Sequence, residues 1–318
     1  MRDAFVARLT LLAERDPRVM LLTGDLGFGV LTDFARRFPR QYVNVGVAEQ
    51  NMTGLATGLA LEGHIVFTYS IANFVFMRCL EQIRNDAAYH DCNVNVVAVG
   101  AGFSYGSLGI SHHATEDLAI MRALPSVTVL SPGDDWEAGE ATEAAAATRG
   151  TCYLRLDRSG TMAATQPAES FQLGKIRQVR DGSDVTLIAT GGVLEEALRA
   201  SQELAVRGLK CRVLSVHTLK PLDTDTLVRA ARETGGVITI EEHSILGGLG
   251  SAVAETLLEA SAAPRFFHRL GLRDQFSSVV GSQAYLRKRY GIDATAILET
   301  VERACTRHTA PRPLSRAA

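Results

Sequence analysis

The chain opens with apolar residues at helical spacing, Ala4, Phe5, Leu9 and Leu12 within 3–15, and Asp16-Pro17 breaks that pattern ahead of the apolar run 19–23. From there, short apolar runs alternate with helix-period stretches. Strands are predicted at 42–45, 64–69, 94–99, 127–130 and 152–156, with helices after Glu49, through 74–88, from about Thr115 and from Asp134. In the second half, 184–190 (DVTLIAT), 210–216, 237–241 and 266–270 read as strands, with helices at 194–207, after GGLGS, near 283–290 and over 294–306. Alternation of this kind predicts an α/β fold of two doubly wound domains, each a largely parallel sheet with helices on both faces.

Periodicity fades between Ser159 and Ser183, where Gly, Thr, Gln, Pro and Ser accumulate. The division is therefore 1–160 for the first domain, 161–183 for a linker, 184–308 for the second domain and 309–318 for a frayed, patternless tail. The alanines at 144–147 suit a surface helix.

Composition adds limits more than clues. With 318 residues, 46% of them hydrophobic, and a net charge of -2, the chain can bury a sizeable core and has no basic block for nucleic acid or an anionic membrane. Five cysteines, odd in number and never in a C-x-x-C pair, argue against a disulfide framework or zinc knuckle. The charged N-terminus is unlike a signal peptide and no apolar run is long enough to span a bilayer, so a cytoplasmic protein is expected.

The stretch 43–60, VNVGVAEQNMTGLATGLA, carries the candidate chemistry: a strand turns through Gly46 and delivers Glu49 at the start of a helix. Met52, Leu55, Ala56 and Leu59 share helical spacing, and Gly54 and Gly58 would let that helix pack closely. A carboxylate placed here is favoured in its charged form by the helix N-terminus and penalised by apolar surroundings, so it needs a partner. GVAEQN resembles the pyrimidine-binding domain of transketolases and related thiamine diphosphate enzymes. The resemblance implies that Glu49 bonds the cofactor's aminopyrimidine ring and activates it.

Further matches follow. The segment SIANFVFMRCLEQIRN resembles the family's S/T-F-A-x-F…R…EQIR signature, which implies that Phe74 stacks on the ring, with Ile71 in place of the first aromatic. The glycine-rich loop ending SHHATED is similar to the family's T-H-Q-x-x-E-D element, so that Ser111-His112 fits the T-H pair and Glu116-Asp117 the acidic pair. His112 can give or take a proton near neutrality at a ketose oxygen. A zinc site from His112 and His113 is disfavoured, since adjacent histidines diverge and no third ligand is suitably spaced. The GDL turn implies a polar contact for Asp25 near the cofactor, Arg158 matches the family's phosphate-binding arginine, and Arg2 matches an N-terminal one. Arginine suits a phosphate because its planar fork makes paired hydrogen bonds. Departures concern substrate: Leu108 replaces the aspartate that reads a substrate hydroxyl, Gly100 replaces a phosphate-binding histidine, and Gly29 stands where a serine is expected.

The second half, from DVTLIATGG through VHTLKPLD to EEHSILGGLGSAVAE, is similar to the transketolase C-terminal domain. Its GGLGS lacks the spacing of a nucleotide fingerprint and reads as close helix packing. The family holds Mg2+ (or a similar divalent ion) and the cofactor diphosphate with a G-D-G…N segment in a separate domain, and this sequence has no such segment. The resemblance thus implies the C-terminal subunit of a split transketolase. It would move a two-carbon ketol unit from a ketose to an aldehyde-type acceptor through a thiamine diphosphate adduct. An N-terminal diphosphate-binding subunit would hold the metal, in an α2β2 assembly. The alternatives are the β subunit of a 2-oxo acid dehydrogenase E1 component and a non-catalytic scaffold of the same fold.

Overall fold

The apolar runs pair in parallel, because a strand buried on both faces needs helices above and below it. A computed structural model describes residues 1–157 and 170–309. The strands are β1 Val19–Thr23, β2 Tyr42–Asn44, β3 Ile65–Ile71, β4 Val94–Val99, β5 Val127–Leu130, β6 Thr151–Leu156, β7 Arg177–Arg180, β8 Val185–Thr190, β9 Cys211–Ser215, β10 Thr218–Lys220, β11 Val237–Ser244 and β12 Phe267–Leu272. They form a seven-stranded sheet, ordered β10-β5-β6-β4-β3-β1-β2, and a five-stranded sheet, ordered β12-β11-β8-β9-β7. Pairing is parallel except where β10 meets β5 and β7 meets β9. Two α/β units with mostly parallel sheets are what the alternation predicts.

Strand alternation sends neighbouring residues to opposite layers. Val97 and Leu154 pack with Phe5 and Leu9 of helix Arg2–Arg15 and with Ala138, Ala141 and Ala145 of helix Asp135–Ala147. Val96 and Tyr153 face the other way, toward Met52, Ala56, Phe76 and Ile83. That second layer continues into Ile188, Leu214, Val216 and Leu249, so one core runs through both domains. Among the described residues no helix is long and apolar enough to cross a membrane.

Several local expectations change. The alanine cluster is not simply surface: Ala145 and Ala146 are buried against the first helix. The helix expected over 74–88 is a single turn, Ala72–Val75, followed by Leu80–Gln82 and a π-helical stretch, Ile83–Ala88. The linker expected over 161–183 contains β7 at its far end. With one apolar residue among RQVR, this edge strand gives no alternation to read. Helix Ala294–Thr309 carries the fold past 308, and the tail beyond it lies outside the described residues. Gly54 and Gly58 face outward with nothing within 4 Å of a Cβ built on them, while Met52, Thr53, Ala56 and Thr57 form the buried face. Periodicity identifies residues that share a face, without saying which face its own chain covers.

The least expected element is β10, by which the second domain adds an antiparallel strand to the first sheet. The chain reaches it through His217, whose carbonyl accepts from Ser131 N at 2.8 Å and whose ring lies 4.3 Å from that of Phe171. Burial, helped by the nearby Arg177 cation, pulls the imidazole down to about 4 from an ordinary 6.5. The unfolded chain therefore binds this proton first. The associated stability is complete above pH 6.5 and is lost as pH falls toward 4. Urea midpoints should drop between pH 7 and 4.5, and drop less in His217→Gln; equal drops would show that His217 takes no part.

Candidate active site

Most described candidates in the first domain sit at or beyond the carboxyl end of a parallel strand, where open α/β sheets bind their ligands, whereas Arg2 opens the first helix. β1 leads into Gly24-Asp25, β2 through Gly46 into Glu49, β3 through Ile71 into Phe74, and β4 into the 100–113 loop. The order β4-β3-β1-β2 brings these four ends side by side.

Glu49 begins helix Glu49–Leu61 and is 2% exposed. Gly24 makes room for it, since a Cβ there would lie 3.3 Å from the Glu49 Cγ. Arg78 Nη1 donates to Glu49 Oε2 at 2.7 Å, and Ser70 Oγ lies 3.4 Å from Oε1. The partner that a buried carboxylate needs is therefore Arg78, 29 residues away and half exposed. Its guanidinium also lies 4.9 Å from the Phe74 ring centre, a cation–π contact. The break in the predicted helix supplies the geometry: Arg78 follows an irregular turn that sends it back to Glu49.

Of the two phenylalanines on that turn, Phe76 is fully buried against Tyr153, whereas Phe74 stays partly exposed beside Arg78 and His112. The His112 ring makes edge contacts with Phe74 at 5.3 Å and Tyr105 at 6.1 Å, and its Nδ1 lies 3.0 Å from Ser111 Oγ. Burial, then the neighbouring His113, lowers its pKa, so that the imidazole is neutral near pH 7. Ile71 is half-buried at the mouth of the same turn. Asp25 is exposed with a left-handed φ of 56°. Asn44 holds it: Nδ2 donates to Asp25 Oδ1 at 2.9 Å, while Oδ1 accepts from the Asp25 and Gly46 N–H groups. One amide thereby ties the Asp25 turn to the turn that launches Glu49.

The substrate candidates are less closely gathered. Leu108 is 54% exposed on the turn Gly106–Leu108, next to Gly109, whose carbonyl accepts from His112 N at 2.9 Å. Gly100 does not line a surface. It is buried with φ 98°, and the Tyr105 ring lies 2.2 Å from where its Cβ would be, so Tyr105 takes over the space of a side chain at 100. Arg2 pairs with Asp3 at 2.9 Å, and its charge reaches Tyr69 and Tyr105. Arg158 lies outside the described residues. Of the acidic pair, Asp117 is fully buried on Arg155 and Tyr153, which is a structural role. The GGLGS helix start is filled by Glu241, which accepts from the Leu249 and Gly250 N–H groups at 2.7 and 2.8 Å and leaves no seat there for a phosphate. Sequence reading missed Arg78 as partner of Glu49, and missed Asn44, Asn73 and Tyr105 altogether.

Two family models cover the chain: the transketolase pyrimidine-binding domain matches residues 1–162 and the transketolase C-terminal domain residues 174–297. The chain belongs to the transketolase family. It is 39% identical over 299 residues to the 6-deoxy-6-sulfo-D-fructose transketolase subunit of Clostridium sp. strain MSTE9, covering 94% of this chain and 92% of that one. Identity to an apulose-4-phosphate transketolase subunit of Phocaeicola vulgatus is 35% over 301 residues, covering 94% and 95%. A split-gene transketolase solved as an inactive β4 tetramer superposes with a TM-score of 0.88 at 38% identity, over 96% of this chain and 98% of that one. These relatives are separate subunits matched end to end, and the chain is the same C-terminal half of a split transketolase. The 2-oxo acid dehydrogenase alternative is not favoured.

Proposed function

We propose that this transketolase half is active only with a diphosphate-binding partner subunit, as an α2β2 enzyme in the cytoplasm that moves a two-carbon ketol unit from a ketose to an aldehyde-type acceptor. The observation that carries the proposal is the buried Glu49 carboxylate and the partly exposed Phe74 ring, both touched by Arg78. This pairing fits an aminopyrimidine, which needs a carboxylate at its ring edge and an aromatic face to stack on. Glu49, Phe74, Ile71 and Asp25 would hold thiamine diphosphate, and the partner would hold its diphosphate and Mg2+. The chemistry this cofactor supplies when bound is a carbon nucleophile for a substrate carbonyl.

This chain's own residues orient and move protons. Glu49, kept in place by Arg78, bonds the ring edge. His112, neutral at pH 7, gives and takes the proton at the ketose oxygen. Arg158 and Arg2 serve an anionic end of the substrate, and Leu108, with Tyr105 over Gly100, shapes the pocket away from ordinary hydroxylated sugar phosphates. The inactive β4 neighbour supports dependence on a partner. Native pull-down of the tagged chain, with thiamine diphosphate assayed in the eluate, tests this reading. A stoichiometric partner carrying the G-D-G…N segment, and cofactor with it, is expected; the chain alone, unable to bind cofactor with Mg2+ added, would overturn it. Leu108→Asp should shift the relative rates on a panel of ketoses and aldehydes toward hydroxylated sugar phosphates, at little cost in stability for so exposed a position. Unchanged relative rates would show that 108 does not read substrate.

A further inference from the structure

Asn73 occupies the open position of the A-x-F element, next to Phe74. Its Nδ2 donates to the carbonyl oxygens of Ser111 at 3.1 Å and His113 at 2.9 Å, the two residues that flank His112. The reverse amide orientation would set an oxygen against two carbonyl oxygens, so the two acceptors fix which way the side chain points. Asn73 Oδ1 is thereby left buried without a hydrogen-bond partner among the described residues, a cost accepted for the sake of the two donors.

Among the described residues, the other hydrogen bonds of this loop run within it or to Leu156, Asp157, Glu242, Gly281 and Gln283. The N–H groups of His112 and His113 both reach Gly109 O, His113 Nε2 reaches Gly106 O at 3.1 Å, and Gly102 pairs with Ala114 at the base. None of these bonds ties the tip of the loop to the turn that carries Phe74. Ring contacts with Phe74 and Tyr105 touch the His112 side chain but do not hold its backbone. A proton-transfer group needs tighter placement than that, since a misplacement of about 1 Å can cost roughly a hundredfold in rate.

We infer that Asn73 is a positioning residue for His112, clamping the peptide on each side of it so that the imidazole stands at a fixed place against the Phe74 ring. The inference rests on the reading of His112 as the proton-handling group of the proposed ketol transfer. The clamp couples the two halves of the site, because the turn that presents the stacking ring also sets the position of the imidazole.

A double-mutant cycle in the reconstituted complex tests it. Asn73→Ala should lower kcat about tenfold and remove the His112 limb of the pH–rate profile, while costing less than about twofold in a His112→Gln background. Equal losses in both backgrounds would overturn the proposal, because a merely structural residue acts independently of His112. Asn73→Ser, which keeps a small polar side chain, repeats the cycle if the alanine variant folds poorly. The chain by itself provides a second readout. The His112 imidazole resonance, identified by its loss in His112→Gln, should titrate closer to the ordinary histidine value in Asn73→Ala, as the ring leaves its seat among Phe74, Tyr105, Ser111 and His113. An unchanged resonance overturns the clamp whatever the turnover. A shifted resonance with no ketol transfer by the wild-type complex overturns the functional reading and leaves the clamp standing.

Discussion

Glu49→Gln is expected to fold normally and to lose turnover by roughly 10²- to 10⁴-fold, the range that a positioned acid–base group contributes. The amide keeps the shape of the side chain against Gly24, so packing is preserved. It removes the negative charge that Arg78 addresses and that the proposed cofactor contact requires. Arg78 is 47% exposed in its side chain and can turn to water, so no buried cation is stranded and melting should stay close to wild type. Turnover of the reconstituted enzyme within a few-fold of wild type would remove Glu49 from the chemistry. Glu49→Ala adds a cavity beside Gly24, so a fall in its melting temperature that the glutamine variant does not share would report packing alone.

The largest effect on stability is expected at Arg155. Its side chain, 2% exposed, donates to Asp117 Oδ2 at 2.7 Å and to the Ala114 and Glu242 carbonyls at 3.1 and 3.0 Å. Tyr153 donates to the same Asp117 oxygen at 2.8 Å. Arg155→Met leaves a fully buried carboxylate without its cation, with the Tyr153 hydroxyl still on it, and takes a donor from the Ala114 and Glu242 carbonyls, so the cost should be about 3–5 kcal/mol by urea unfolding at pH 7. Adding Asp117→Leu should return much of that loss, because an apolar pair of similar volume leaves no charge uncompensated. If the double variant is no better than the single one, the stability lies in the network around Glu242 and not in the ion pair.

The sequence announces the residues whose meaning is local. Glu49 stands at a strand–turn–helix junction, His112 in a glycine-rich loop, and the long apolar runs give their strands directly. What escapes it are contacts that join distant turns. Arg78 on Glu49, Asn44 on Asp25 and Asn73 on the His112 loop each depend on which strand ends lie side by side, and spacing along the chain does not encode that. Two other misses have a simpler cause. At three residues β10 is too short to show a period, and at 100 the lack of a side chain hid the fact that Tyr105 fills the space.

The crossing strand β10 also bears on how such a chain can be rearranged. A cut within 158–169 falls between the two sheets in sequence but does not separate them in space. Thr218–Lys220 would still lie along β5, and Ser131 would still bond His217. The first domain expressed without the second would present β5 as a bare sheet edge, open to strand addition from any neighbour. Recombination between related subunits should therefore tolerate a junction that carries β10 with its own β5, and fail where the two come from different parents.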